Sequence, residues 1–161
     1  MFDSPMLMMA SRPDLLKKIS EHLSDDGPHP LWDLRSIVSN PRIADFLVRD
    51  MDVSNLILVG DSYLAQQSML ADWPCPTYGI ELKHWSEIER DLILVDAVPF
   101  GDRSICRIQV WAFDPKILSP EALKIAVCLS YQDIELIREP RLFGAINEVL
   151  RDYHIEADPK P

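Results

Sequence analysis

The feature that most restricts the fold is a change of hydrophobic period near residue 55. Leu56-Ile57-Leu58-Val59 is an unbroken apolar run that stops at Gly60-Asp61-Ser62. Such a run, ended by a glycine turn, reads as a buried strand passing into a helix. The helix is expected through Tyr63 to Ala71, until Asp72-Trp73-Pro74-Cys75-Pro76 breaks it, because proline disfavours helical backbone in the residue before it. Asp61 or Ser62 is expected to cap it. Upstream, the apolar spacing is helical. Leu15, Leu16, Ile19 and Leu23 follow the start signal Ser11-Arg12-Pro13-Asp14, and Leu31, Leu34, Ile37 and Val38 form a second short stripe. Asn40-Pro41 reads as a cap followed by a first-turn proline, with Ile43, Phe46 and Leu47 as the third helix's apolar face.

Downstream, Tyr78 to Leu82, Leu92 to Val95 and Ser104 to Trp111 read as strands, the last two joined by a hairpin loop at Phe100-Gly101-Asp102-Arg103. Ser119-Pro120-Glu121 combines a cap, a first-turn proline and an acid, and opens an apolar, central helix. A short helix covers 133–138. Glu139-Pro140 opens the last helix, with Leu142, Phe143, Ile146, Val149 and Leu150 inward. The expected class is α+β (or α/β): an about four-stranded mixed sheet with helices packed on it and a helical N-terminal lobe. The expected organisation is a flexible arm at 1–10, the lobe at 11–50, an α/β core at 51–153 and a tail at 154–161.

Charge narrows the partners. Of the 161 residues, 26 are acidic and 16 basic, a net of -10. This disfavours nucleic acid and anionic membrane, which are held by dense basic faces. The imbalance is uneven: residues 1–50 carry 8 acids and 6 bases, residues 51–161 carry 18 and 10. The three cysteines, Cys75, Cys106 and Cys128, are an odd set without a Cys-x-x-C, against a disulfide framework or zinc ribbon. Cys106 and Cys128 lie in apolar runs and read as small buried hydrophobes. No apolar stretch is long enough to span a bilayer, and the N-terminus lacks the basic region of a signal peptide, so the expected location is cytoplasmic.

Candidate chemistry is sparse. Glu81-Leu82-Lys83, with Asp61 upstream, has the acid and acid-x-lysine arrangement of a Mg-dependent nuclease or phosphodiesterase. There the carboxylates hold the metal and the lysine steadies the attacking water. Strand alternation would put Glu81 and Lys83 on one face. Two further acid-x-lysine pairs, Asp114/Lys116 and Asp158/Lys160, show how readily that spacing arises by chance. His22, His29, His84 and His154 stand at no metal-ligand spacing, and no Gly-x-Ser-x-Gly elbow is present. A DNA-binding head in 11–50 would present Arg42 and Arg49 from a recognition helix, opposed there by Asp45 and Asp50.

One stretch resembles a known family. Leu56-Ile57-Leu58-Val59-Gly60 leading to Leu64-Ala65, the approach Pro76-Thr77-Tyr78, and Leu118-Ser119-Pro120-Glu121-Ala122-Leu123 together are similar to nucleotidyltransferase-fold proteins of toxin–antitoxin and phage-defence systems. The family's Gly-Ser or Gly-Gly is Gly60-Asp61 here. Its paired metal acids would fall near Gly79-Ile80-Glu81, where only Glu81 is acidic. The resemblance therefore implies a scaffold without nucleotidyl transfer or the catalytic metal motif.

The preferred expectation is a non-enzymatic, acidic protein–protein interaction protein, antitoxin-, immunity- or inhibitor-like, with no cofactor and no resident metal. Its expected partner surface is Trp73, Trp85, Glu87 and Glu89, since tryptophans anchor many interfaces. The alternatives are the Mg-dependent nuclease using Asp61, Glu81 and Lys83, and the DNA-binding regulator using 11–50.

Overall fold

A computed structural model describes residues 29–30, 40–68, 75–151 and 155–156. The expected arm, the helices at 11–23 and 31–38, and Trp73 lie outside the described residues. Five strands form one mixed sheet: β2 (Arg42–Arg49), β3 (Ile57–Leu58), β4 (Thr77–Glu81), β5 (Ile93–Val95) and β6 (Ile105–Trp111). Their order is β3-β4-β6-β2-β5. Strand β4 runs parallel to β6, and β2 is antiparallel to both β6 and β5. A separate parallel pair joins β1 (His29–Pro30) to β7 (Ile155–Glu156), so two residues of the expected tail are paired strand. The helices are α1 (Gly60–Gln67), α2 (Leu82–Ile88), α3 (Pro120–Leu129), α4 (Asp133–Arg138) and α5 (Arg141–Leu150). The class is α+β, as expected, with five strands in the main sheet rather than four.

Three expectations change. Residues 42–49 are a sheet strand, not a recognition helix, so the boundary drawn at residue 50 would cut through the sheet. The period-two signal was present: Ala44, Phe46 and Val48 alternate onto one face opposite Val110, Ile108 and Cys106. Strands β5 and β6 do not make a hairpin, because β2 lies between them. The strand at 77–81 ends at Glu81, and Leu82–Ile88 is helical.

The sheet separates two apolar clusters. On one face, Val48, Ile80, Cys106, Ile108 and Val110 pack with Trp85 of α2, whose ring stacks on Phe46 at 4.7 Å between centroids. On the other, α1, α3 and α5 bury Val59, Leu64, Ile125, Leu129, Ile146 and Leu150 around Trp111 and Phe113. Helix α3 starts as expected: Ser119 accepts a hydrogen bond from the Ala122 N–H at 3.2 Å, and Pro120 occupies the first turn.

Candidate functional site

The second face is not apolar throughout. Alternation along β6 points Cys106, Ile108 and Val110 one way and Arg107, Gln109 and Trp111 the other. A central strand covered on both faces is ordinarily close to continuously hydrophobic. Here Arg107 and Gln109 stand on the helix-covered face, in register with Thr77 and Gly79 of β4. Strand β2 adds two more polar groups through an irregularity. Its register shifts between Arg42 and Ala44, so Arg42 opposes Trp111 while Ala44 opposes Val110. In a regular strand, residues three apart face opposite ways. The bulged Ile43 takes up the extra position and turns Arg42 to the same side as Asp45.

These residues floor a cleft of about 280 Å³, lined also by Asp61, Tyr131, Glu135, Arg138, Glu139 and Arg141. That is near the small end of ligand pockets, which run about 300–1,000 Å³. Four of the chain's ten arginines meet here, in a protein of net charge -10.

Each wall is fixed by identifiable contacts. The Arg42 fork donates to Asp45 Oδ2 at 2.7 Å, to Glu135 Oε1 at 2.8 Å and to the Ser130 carbonyl at 3.1 Å. Glu135 also accepts from the Gln132 N–H, closing a capping box at the start of α4. Burial works against the Arg42 charge, but Asp45 and Glu135 outweigh it and raise its affinity for its proton. For Asp45 the balance goes the other way. Burial pushes its carboxyl above the usual range, Arg42 and Arg107 offset this only in part, and the nearby Glu135 charge adds to the rise. One attraction thus acts on two partners, and desolvation dominates at the carboxylate. Arg141 pairs with Glu139 at 3.1 Å.

At the floor, Gly60 opens α1 with a positive φ of 56°. Asp61 and Ser62 do not cap this helix. Its cap position is Val59, with no side-chain bond. Ser62 Oγ instead accepts from the Thr77 N–H at 2.9 Å and ties α1 to β4. Asp61 accepts a hydrogen bond from the Tyr131 hydroxyl. Tyr131 is buried, and burial together with the Asp61 charge holds its pKa well above that of an ordinary tyrosine. Gln109 Oε1 accepts from Trp111 Nε1 at 3.1 Å, which fixes the amide orientation and turns Nε2 toward Gly60. Gln109 is 4% exposed and Thr77 2%. Among the described residues, neither Gln109 Nε2 nor the Thr77 hydroxyl has a hydrogen-bond partner. Buried polar groups are nearly always satisfied, so these two donors are exceptions among the described residues.

The expected site residues are dispersed. Asp61 lines the cleft. Glu81 is four residues along β4 from Thr77, about 13 Å away at strand rise, and does not line the cleft. Lys83 lies in α2, exposed, so strand alternation does not align it with Glu81. No group of three metal-ligating side chains occurs among the described residues. Trp85 is only 3% exposed and fills the opposite core, which removes it from the expected partner surface, whereas Glu87 and Glu89 are exposed. Arg49 pairs with Asp102 at 3.7 Å. All three cysteines are buried and free, as expected for Cys106 and Cys128. Among the described residues, no helix is long and apolar enough to cross a membrane.

The sequence reading missed Thr77, Arg107, Gln109, Arg138 and Arg141 as site residues. The legible signal was Arg107 and Gln109 at alternate positions inside an otherwise apolar strand. The chain matches no protein-family model, and no curated protein or solved structure is significantly similar to it.

Proposed function

We propose that the protein binds a small molecule through an anionic group, carboxylate or phosphate, held in the arginine-lined cleft. The observation that carries this reading is the pair of buried donors, Thr77 Oγ1 and Gln109 Nε2, that have no partner among the described residues, on a floor ringed by Arg42, Arg107, Arg138 and Arg141. A buried donor without a partner costs about 1–3 kcal/mol. An acceptor-rich ligand recovers that cost, and guanidinium groups are the side chains best matched to planar or tetrahedral oxyanions. Arg138 ends α4, is exposed, and makes no ion pair among the described residues. It is therefore the cation most available to an incoming anion.

Thermal unfolding in inorganic phosphate, against chloride of equal ionic strength, tests the reading. A ligand at ten times its Kd stabilises by about 1.4 kcal/mol, a rise of roughly 3–5 °C for a chain of this size. The rise is expected in the wild type and largely absent in Arg138→Gln. Equal midpoints in phosphate, acetate and chloride would remove the proposal.

Binding of a protein partner is the second reading, and the β5 edge favours it. Ile93 and Leu94 are 54% and 50% exposed on a strand that, among the described residues, is paired on one side only, close in sequence to Glu87, Glu89, Asp91 and Asp96. An extended, basic segment of a partner fits such an edge. A lysine-valine alternating peptide is expected to bind the wild type and to lose binding to Ile93→Lys.

A further inference from the structure

We infer that the ligand of the cleft is zwitterionic, with its anionic group on the arginine and amide donors and an ammonium group on Asp61; this rests on the anion reading above. Most charged groups of the walls answer one another. Asp45 and Glu135 are both engaged by Arg42, Glu139 is engaged by Arg141, and Arg107 acts on Asp45 and has a further interaction of its own. Asp61 is different. Its Oδ1 accepts from Tyr131, while Oδ2 has no hydrogen bond and the carboxylate has no ion pair among the described residues. Arg138 is the corresponding cation, with no carboxylate partner among the described residues. One negative and one positive group therefore remain in a single small cavity, together with the orphan donors of Thr77 and Gln109.

A simple anion answers Arg138, Thr77 and Gln109 but not Asp61. Seated on the floor, it would share about 280 Å³ with the Asp61 charge, and like charges at close range oppose binding. A simple cation would answer Asp61 but leave Gln109 Nε2 and Arg138 unanswered. A molecule carrying both groups on a short linker answers all four. Tyr131, which also lines the cleft, donates its hydroxyl to Oδ1, so Oδ2 is the oxygen without a hydrogen bond among the described residues. The anchoring is geometric, since α1 is tied to β4 through Ser62 and Tyr131 follows directly on α3.

The test is calorimetric titration of the full chain with two matched pairs of probes at constant ionic strength. O-phosphoethanolamine is compared with ethyl phosphate, and β-alanine with propionate. Each pair differs in the ammonium group. In at least one pair the zwitterion is expected to bind ten-fold or more tightly than its partner. That advantage is expected to vanish in Asp61→Asn, which keeps a carbonyl oxygen to accept from Tyr131. Equal binding within both pairs would overturn the inference and leave the anion reading standing. So would an advantage that survives in Asp61→Asn, because it would then reflect only the lower net charge of the probe. Failure of all four probes to bind the wild type would overturn both.

Discussion

Gly60 shows how closely the floor of the cleft is fitted to the backbone. At φ 56° it adopts a conformation that costs an L-residue about 1–2 kcal/mol. A Cβ there would also stand 2.9 Å from Gln109 Nε2 and 3.2 Å from Thr77 Cγ2, the two residues with orphan donors. Gly60→Ala is expected to lower the unfolding free energy in urea by about 1–2 kcal/mol, and to weaken phosphate binding by displacing the Gln109 amide. Tyr131 gives a second residue-level test. In the unfolded chain it titrates near its ordinary pKa of about 10. In the folded protein, burial and Asp61 keep it protonated to higher pH. Above pH 10 the folded state therefore binds more protons than the unfolded state, and stability must fall as pH rises. Urea unfolding between pH 9 and 11 is expected to show a shallower decline in Tyr131→Phe than in the wild type. The difference can approach about 1.4 kcal/mol per pH unit. Neither residue announces itself in the sequence. Gly60 was legible as a turn, but its contact with Gln109, 49 positions away, is made only by the sheet.

Elements were legible where local chemistry decides the backbone. Ser119-Pro120 opens α3 as expected, because a cap and a first-turn proline act within a few residues, and Pro140 stands at the cap position of α5. Ser119→Ala is expected to cost about 1 kcal/mol, read as a lower urea midpoint, with Ser119→Asp restoring most of it. Strand β2 was misread for a definite reason. Asn40-Pro41 imitates a helix start, and Ile43, Phe46 and Leu47 have helical spacing. In the structure, Ile43 is the bulged residue and 53% exposed, so the apparent stripe joins residues that do not share a face. The bulge interrupts the alternation only between Arg42 and Ala44, and it places Arg42 in the cleft. The site stayed hidden for a related reason. Its members come from β2, α1, β4, β6, α4 and the segments around Tyr131 and Arg141. Apart from Arg107 and Gln109 on one strand and Glu135 and Arg138 on one helix, its members are distant in sequence, and only the tertiary fold brings them together.

At the scale of the molecule, one sheet separates two cores, and the question is whether they unfold as one unit. Strand β6 contributes to both, with Cys106, Ile108 and Val110 on one face and Trp111 on the other. Loss of either core should therefore strip β6 of half its packing and take the other core with it. The cysteines report on this without added probes. Cys106 lies in the first cluster and Cys128 in the second, and burial raises both thiols, Cys106 to about 11 and Cys128 further. The thiolate is the reactive form, so both are expected to resist alkylation in the native protein. Pulsed alkylation across a urea series, read by mass spectrometry, is expected to label Cys106 and Cys128 at one midpoint, coincident with loss of tryptophan fluorescence. Coincidence of independent probes is the signature of two-state unfolding. Labelling of Cys106 at lower urea would instead identify the α2 side as a separately opening unit. The cleft would then be carried by the α1, α3 and α5 side alone, and phosphate would protect Cys128 but not Cys106.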